Sequence, residues 1–307
     1  MEDGRSVMGS FKENYMQAIG IDLGGTRIKA VLINDQGDIQ HEIITETKEE
    51  NQQWKTDVKS TVEELSSKST GPFVIGLSAP GIPDKENKAI EFLPDRLKGI
   101  EGFVWQRHLS RPTLVINDAI AALSAEASFG SARNCEHAVL ITIGTGVGGA
   151  ILINKKIYQG AFQKAGHIGH MTVNMDGDPD ICGMPGSLEE AIGNYSISKR
   201  SKGRFIDTLA LLESVKKNDA DAKAIWEKSI KSLAVSIASI SNILSPDKVI
   251  LAGGITKAGD VLMDPLRTFM DQYEWRAGGN QLKIEIATFS DKAGAIGAAA
   301  FALSNIK

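Results

Sequence analysis

Residues 18–33 read AIGIDLGGTRIKAVLI, and the rest of the chain is interpreted outward from this stretch. Two apolar runs are joined by Gly24-Gly25, which predicts a β-hairpin with a tight turn. Because the turn carries no bulky side chain, its backbone N–H groups can approach an anion closely. Asp22, at the edge of the turn, could hold a hydrated Mg²⁺ against phosphate oxygens. An ordinary tight hairpin explains the same residues, since short glycine motifs also occur by chance.

Residues 138–153 read AVLITIGTGVGGAILI and repeat this pattern about 120 residues later. Each copy is an apolar run, a glycine turn with a threonine, and a second apolar run. Two such turns facing one another across a cleft would enclose the phosphates of a nucleotide from both sides. The repeat therefore predicts two lobes, each of which begins with a hairpin.

Composition limits the classes of protein that this chain can belong to. Its 307 residues are enough for about two domains, and a net charge of −4 without a basic stripe argues against nucleic acid as the main partner. Two cysteines, Cys135 and Cys182, cannot form a disulfide framework, which indicates a reducing cytoplasm. The longest apolar run, residues 293–303, is too short to span a bilayer, so we expect no membrane partner.

Apolar periodicity and turn residues predict the elements that follow the first hairpin. A helix at residues 52–67 would bury four large side chains on one face: Trp54, Val58, Val62 and Leu65. Strands are expected at 39–47, 72–77, 112–116, 248–252 and 282–287, and helices at 104–109, 119–129, 188–194, 205–217, 220–244, 260–273 and 294–304. On spacing alone, Asp118 or Asn117 is the N-cap of the helix at 119–129. The alternation of strands and helices favours an α/β fold of two lobes.

Seven segments, in this order and at these separations, resemble the ROK family, named for repressors, open reading frames and kinases. They are DLGGTRIK (22–29), GLSAPGIPD (76–84), INDAIAALSAE (116–126), ITIGTGVGGAIL (141–152), GHIGHMTV (166–173), CGMPGSLEEA (182–191) and LAGGI (251–255). The resemblance covers residues 19–302. It implies a two-lobed, actin-like and ribonuclease H-like ATPase fold with a central cleft, and ATP-dependent phosphorylation of a hexose, although some members are repressors.

From the resemblance we expect four segments. Residues 1–16 would be a flexible leader, residues 17–117 the N-terminal α/β lobe, and residues 118–292 a larger C-terminal lobe. The C-terminal helix, at residues 293–307, would pack back on the N-terminal lobe. About 21 residues precede Asp22, which are too few for the DNA-binding domain of a repressor, so we expect no nucleic-acid partner. A homodimer is expected from the family alone.

The resemblance also implies roles for individual residues. The nucleotide would be held by a first phosphate turn, a second phosphate turn and an adenosine-side pair: Asp22, Gly24, Gly25, Thr26 and Lys29; Gly144, Thr145, Gly146 and Gly148; Gly253 and Gly254. Asp118 would be the general base, and Asp22 would hold Mg²⁺ through water. The sugar would be bound by the loop of Ser78, Ala79, Pro80 and Gly81, by Asn117 and Asp118, and by His167, His170 and Glu189. Plain turns and a solvent-facing Lys29 are the alternatives.

The chain departs from the family pattern at three places. The family's Gly-Glu-Ile-Gly-His reads Gly166-His167-Ile168-Gly169-His170, so an imidazole replaces a carboxylate that accepts sugar hydroxyls. Members commonly bind one Zn²⁺ through a histidine and three cysteines; ten, twelve and seventeen residues after His170 stand Asp180, Cys182 and Ser187. We therefore expect no structural zinc, only the remnant His170, Asp180 and Cys182. Before Leu93-Pro94 the family often has asparagine, and here it is Phe92.

The sequence thus predicts a cytoplasmic, glucokinase-like ATP:hexose kinase that uses Mg²⁺ and transfers the phosphoryl group in line. Two other classes stay open. One is a sugar-binding sensor without catalysis, which the replacement at His167 would permit. The other is a kinase for an N-acetylated amino sugar such as N-acetylmannosamine, or one that uses polyphosphate as the donor.

Overall fold

The structure is a computed structural model that describes residues 17–94 and 96–306. The leader expected at residues 1–16 lies outside the described residues. The strands are β1 (Gln17–Leu23), β2 (Arg27–Asn34), β3 (Ile39–Glu46), β4 (Phe73–Ala79), β5 (Ile82–Pro83), β6 (Ile90–Phe92), β7 (Thr113–Asn117), β8 (Ala138–Ile143), β9 (Val147–Ile153), β10 (Lys156–Tyr158), β11 (Lys248–Ala252) and β12 (Lys283–Ile286). The α-helices are α1 (Gln53–Ser66), α2 (Trp105–Leu109), α3 (Asp118–Phe129), α4 (Leu188–Ile192), α5 (Ile197–Arg200), α6 (Thr208–Lys216), α7 (Ala220–Leu244), α8 (Asp260–Tyr273) and α9 (Ala293–Asn305).

Two five-stranded sheets share one topology. The strand order is β3-β2-β1-β4-β7 in the first and β10-β9-β8-β11-β12 in the second. In each, a hairpin and one further strand pair antiparallel, and the first hairpin strand pairs parallel with the next strand. The duplication that the two glycine stretches predict is therefore confirmed at the level of strand order. Parallel pairing needs a crossover, and helices supply it in both halves.

The apolar faces of the helices cover these sheets. The predicted face of α1, with Trp54, Val58, Val62 and Leu65, is buried against the first sheet. The long helix α7 buries its own apolar face beside the second sheet and packs with α8. These local faces follow from helical periodicity, which is why the sequence predicts them well. Within residues 17–94 and 96–306, no helix combines the length and the apolar character needed to cross a bilayer.

The C-terminal helix α9 lies on the first sheet at very short range. A Cβ atom added to Gly20 would lie 1.9 Å from the Ala295 carbonyl oxygen, and one added to Gly76 would lie 1.8 Å from that of Ala298. On the helix itself, Gly297 faces the backbone of α3 equally closely. Glycine at these positions allows the backbones to touch, so the chain's last helix is seated between β1, β4 and α3.

Two helices differ from the prediction by two or more residues at one end. The helix expected at 205–217 begins only at Thr208, because the Asp207 carboxylate accepts the Ala210 N–H at 2.8 Å and caps it. The helix expected at 188–194 ends at Ile192, because Gly193 adopts extended backbone. Both differences come from capping residues that the hydrophobic pattern does not show.

Candidate active site

The first glycine turn, between β1 and β2, presents backbone N–H groups outward. Its carbonyl oxygens face Thr47, whose hydroxyl donates to Gly24 at 2.7 Å and whose N–H donates to Thr26 at 2.9 Å. In the described part of the chain, the N–H groups of Gly25 and Thr26 donate to no protein acceptor. Both residues are exposed. The turn therefore offers two donors to an anion from solvent.

The second glycine turn, between β8 and β9, has the same arrangement. The carbonyl oxygens of Gly144 and Thr145 accept from the N–H groups of Asn194 and Tyr195, both at 3.0 Å. Over residues 17–94 and 96–306, the N–H groups of Thr145 and Gly146 have no protein acceptor. Gly148 lies further along the hairpin, where a Cβ atom would meet the Thr142 hydroxyl at 2.7 Å. Because the carbonyl oxygens of this turn are hydrogen-bonded to the protein, they point toward it, and within the described residues the N–H groups of Thr145 and Gly146 remain free to donate.

Asp22 is the second-last residue of β1, and neighbours from two distant segments hold it. The Ser78 hydroxyl donates to its Oδ1 at 2.8 Å, and a Cβ atom added to Gly294 of α9 would lie 2.5 Å from its Cγ. Burial, above all, raises the pKa of the Asp22 carboxyl; the bond from Ser78 opposes this rise, and the nearby Asp118 carboxyl adds to it. A confined carboxylate oxygen beside a phosphate turn fits a hydrated Mg²⁺, which prefers such hard ligands.

This contact gives Ser78 a partner that the sequence did not predict. Its side chain is fully buried, and its hydroxyl donates to Asp22. Ala79 is also fully buried. Only Pro80 and Gly81 of that loop are partly accessible, and Gly81 has the left-handed φ of +100° that favours glycine.

Spacing alone left open whether Asn117 or Asp118 is the N-cap of α3, and the structure distinguishes the two residues. The Asn117 Oδ1 accepts the Ala119 N–H at 2.9 Å and caps α3, while its Nδ2 donates to the Gly81 carbonyl at 2.9 Å. Asn117 is therefore the N-cap, and it also fixes the loop that ends at Gly81. Asp118 is exposed to solvent, yet surrounding protein raises the pKa of its carboxyl; the Ala119 N–H and the charge of Arg96 oppose that rise. Asp118 is therefore not part of the packed interior.

Arg96 is a basic residue of this region that the sequence patterns did not single out. Its Nη2 lies 2.7 Å from the position that a Cβ atom on Gly25 would take, so the guanidinium covers the first phosphate turn. Its charge also reaches Asp118. An exposed arginine in a loop has no distinctive spacing, so the sequence pattern does not reveal it. The departure from the family pattern at Phe92, four residues earlier, was the signal in the sequence that pointed to this loop.

The remaining predicted nucleotide residues lie at the ends of strands. Gly253 follows β11 with φ +88°, and a Cβ atom there would meet the Ile143 carbonyl oxygen at 2.4 Å, so this segment lies against the start of the second turn. Gly254 is exposed with open space above it. The Lys29 ammonium group donates to the Asp291 carbonyl at 2.8 Å, just before α9, so it faces neither phosphate turn freely.

Glu189 joins the second phosphate turn to the segment expected to bind sugar. Its Oε2 accepts the Val147 N–H at 2.7 Å and lies 2.2 Å from the position of a Cβ atom on Gly146. Its Oε1 is buried without a hydrogen-bond partner among the described residues. Burial raises the pKa of this carboxyl. A buried acceptor without a donor is costly, and the described residues supply no donor to this oxygen.

The two histidines lie beside one another near this carboxylate. The rings of His167 and His170 are almost parallel, with centroids 6.4 Å apart. Burial lowers the pKa of His167, and its Nδ1 lies 3.1 Å from the Lys164 carbonyl oxygen. His167 is therefore a neutral imidazole near pH 7, and its Nδ1 donates to that carbonyl. The family's glutamate would be negative at this place.

His170, Asp180 and Cys182 converge, but as a donor set they do not fit a structural zinc site. The His170 Nδ1 bonds the Asp180 carboxylate at 2.9 Å, and its Nε2 lies 3.7 Å from the Cys182 sulfur. The hydroxyl at the fourth position, on Ser187, caps α4 by accepting the Glu190 N–H. Structural zinc is held by four nitrogen or sulfur ligands, and this set offers two. Hydrogen bonds to Asp180 hold the loop instead.

We expect protein purified without chelator to contain well under one zinc per chain. Dialysis against EDTA should leave the melting temperature unchanged, because the His170–Asp180 pair needs no metal. Inductively coupled plasma spectrometry and thermal unfolding measure the two quantities. A stoichiometric zinc, or a fall in melting temperature on chelation, would contradict the assignment.

The two turns are linked through the first turn of α3. A Cβ atom added to Gly148 would lie 3.4 Å from the Cβ of Ala119, the residue after Asp118. The second hairpin therefore packs beside the same helix end that carries Asp118. The structure brings Asp22, Asp118 and the first turn together on one side, and Glu189, His170 and the second turn together on the other.

Two repeated α/β units with a glycine hairpin in each define a protein of the actin-like ATPase fold. The model of the ROK family matches residues 18–305, and the chain belongs to this family.

Relatives of the chain include both enzymes and regulators. It is 28% identical to a glucokinase from Thermotoga maritima, over 92% of this chain and 96% of the relative. It is 24% identical to a xylose repressor from Caldicellulosiruptor bescii, over 98% and 82%. A ROK family glucokinase from Streptomyces griseus, solved in complex with glucose and AMPPNP, superposes with a TM-score of 0.78 at 23% identity, covering 94% of this chain and all of that one. The family relationship therefore does not by itself separate kinase from sensor.

Proposed function

We propose that this protein is a glucokinase-like, ATP-dependent hexose kinase. The observation that carries the proposal is the position of Asp118. Its carboxylate is open to solvent, close enough to interact electrostatically with Asp22, and next to a helix end that packs on the second phosphate turn. A repressor or sensor needs a sugar site but no carboxylate between two phosphate turns. The free backbone N–H groups of both turns could bind the phosphates that the base Asp118 requires nearby.

The proposed reaction is an in-line transfer. Asp118 accepts the proton of a sugar hydroxyl as its oxygen attacks the terminal phosphorus of ATP, and ADP leaves. The free N–H groups of Gly25, Thr26, Thr145 and Gly146 bind phosphate oxygens, as backbone donors do at sites of developing charge. Mg²⁺, when held through water by Asp22, would offset the phosphate charge. Ser78 keeps the Asp22 carboxylate in place.

Sugar recognition is assigned to the side of the cleft that holds Glu189. The buried Oε1 of Glu189 accepts a sugar hydroxyl, which supplies the hydrogen bond that this atom lacks. His170 is oriented beside it by Asp180. Asn117 and Gly81 border the base and fix the sugar-side loop. His167, neutral and bonded to a backbone carbonyl, leaves this subsite with one carboxylate fewer than the family pattern.

The test is a substrate panel with two readouts. A coupled assay of ADP release is run with hexoses and N-acetylated amino sugars, with ATP or polyphosphate as donor, and calorimetry measures binding of the same compounds. We expect turnover with a glucose-like hexose and ATP. Sugar binding without turnover by any donor would favour the sensor. The replacement of a carboxylate by an imidazole at His167 is the observation that supports this alternative. Turnover only with an amino sugar or with polyphosphate would change the substrate.

Restoring the family residue should change sugar affinity. His167→Glu is expected to lower KM for the preferred hexose by about 10-fold or more, because a hydrogen bond to a charged acceptor contributes about 1.5–3 kcal/mol. His167→Gln, neutral and of similar reach, is the matched control and should resemble the wild type. Steady-state KM values across the sugar panel measure the effect. An unchanged or raised KM in His167→Glu would remove this position from sugar recognition.

We also place the protein in the cytoplasm. Both cysteines are free thiols, one buried and one exposed, as a reducing compartment requires. Small-molecule substrates, ATP and a hexose, are the partners that this function needs.

A further inference from the structure

Arg96 lies in the loop that follows β6, and its guanidinium is close to the first phosphate turn. The nearest atom to the added Cβ position on Gly25 is Nη2 at 2.7 Å, with Cζ at 3.8 Å and Nε at 4.0 Å. The guanidinium therefore approaches with its outer edge, and its N–H donors lie over the turn. Thr47, the residue after β3, binds the turn's carbonyl oxygens.

The same guanidinium is within electrostatic reach of Asp118. Asp118 in turn interacts with Asp22, so the cation lies in a group that contains the base, the metal-binding carboxylate and a phosphate turn. Lys29, the cation that acts on Asp22, donates to the Asp291 carbonyl. Arg96 is thus the basic side chain that the described structure places between the first phosphate turn and the base.

We propose that Arg96 binds the terminal phosphoryl group of the donor and stabilises its charge during transfer to the sugar. This inference rests on the proposed kinase function and adds a catalytic residue to it. A guanidinium is charged at all working pH values, and its planar donors match two phosphate oxygens at once. In phosphoryl transfer, the equatorial oxygens of the transferred group carry the charge that such a cation offsets.

Arg96 forms no covalent bond in this step. The sugar hydroxyl oxygen bonds to the terminal phosphorus, the bond from that phosphorus to the bridging oxygen breaks, and the hydroxyl proton passes to Asp118. ADP leaves with the bridging oxygen. Arg96 holds the oxygens of the transferred group throughout, between the turn that binds the donor and the carboxylate beside the acceptor.

The test compares Arg96→Ala and Arg96→Lys with Lys98→Ala, a control that removes an exposed cation from the same loop. In full-length protein, kcat of Arg96→Ala should fall about 10²-fold or more, since one stabilising donor is typically worth about 10²–10³. Arg96→Lys should recover part of the loss, and millimolar guanidinium should raise the rate of Arg96→Ala only. KM for the sugar should stay near the wild-type value in all three variants, and Lys98→Ala should have wild-type kcat.

Nucleotide binding provides a second measurement that does not depend on turnover. Calorimetry should show AMPPNP binding weakened about tenfold or more in Arg96→Ala, with ADP binding unchanged, because ADP lacks the terminal group. If the wild type transfers phosphate but Arg96→Ala keeps normal kcat and AMPPNP affinity, the inference is wrong while the kinase assignment stands. A rise in sugar KM alone would assign Arg96 to the sugar and overturn the inference. If the wild type shows no turnover, the kinase assignment fails. Comparing AMPPNP with ADP binding in Arg96→Ala still shows whether Arg96 binds the terminal phosphoryl group. Should Arg96→Ala fail to fold, Arg96→Lys carries both measurements.

Discussion

Asp118→Asn is expected to lower kcat by about 10²- to 10⁴-fold, the range typical of losing a general base. The amide keeps the size of the side chain but cannot accept the hydroxyl proton. Binding of ATP should stay nearly unchanged, because the phosphate donors are backbone groups of the two turns. The coupled assay gives kcat, and calorimetry with AMPPNP gives affinity.

Asn117 makes this experiment interpretable. It caps α3 through its own side chain, and the amide oxygen in Asp118→Asn can still accept the Ala119 N–H that the carboxylate accepts at 2.8 Å, so the melting temperature should match the wild type. A variant with near-normal kcat would take Asp118 out of the mechanism. A variant that loses nucleotide affinity as strongly as rate would mean that the carboxylate positions the donor and does not act as the base.

The pH profile supplies an independent signature of the same carboxylate. Surrounding protein raises the pKa of Asp118 above its ordinary value of 3.8. Only the ionised form accepts a proton, so kcat/KM should fall as pH is lowered through this raised pKa. The acid limb should therefore lie above that of an ordinary aspartate, and the residual activity of Asp118→Asn should lack it.

Asp22→Asn has the second largest expected effect. Replacing the carboxylate by an amide removes the negative charge that would hold hydrated Mg²⁺. We expect kcat/KM for MgATP to fall about 10²-fold or more, comparable to losing an electrostatic contact in an active site. A titration of Mg²⁺ at fixed ATP should show half-saturation shifted to higher metal concentration. Sugar affinity, measured by calorimetry without nucleotide, should be unchanged.

Ser78→Ala is the graded control for Asp22. It keeps the carboxylate and removes only the hydrogen bond that orients it, so its effect should be about tenfold and in the same direction. A wild-type Mg²⁺ dependence in Asp22→Asn would show that the metal is held elsewhere. An effect of Ser78→Ala equal to that of Asp22→Asn would show that orientation, not charge, is what the site requires.

Much of the fold could be predicted because its signals are local. The face of α1 and the full extent of α7 and β11 follow from apolar spacing. The start of α3 was predicted within one residue, and its cap was narrowed to Asn117 or Asp118. The start of α6 was wrong by three residues because the side chain of Asp207, not the apolar pattern, determines it.

The motifs of the candidate site are local as well. Glycine turns and the Asn117-Asp118 pair are contiguous motifs, and the structure gives each the backbone setting its motif predicts. The bond from the Ser78 hydroxyl to Asp22 was not predicted, because the register between two strands decides which side chains meet and no local spacing encodes it. Ser78 and Asp22 are register partners in a parallel pair, 56 residues apart in the chain.

The sequence by itself determined the two glycine hairpins, the aspartate that opens α3, and the incomplete zinc motif, because each is written in neighbouring residues. Only the tertiary structure decided that Gly294 of the last helix confines Asp22, that Glu189 binds the second hairpin, and that Arg96 covers Gly25. Those contacts join segments far apart in the chain. They depend on how sheets and helices pack, which no local spacing encodes.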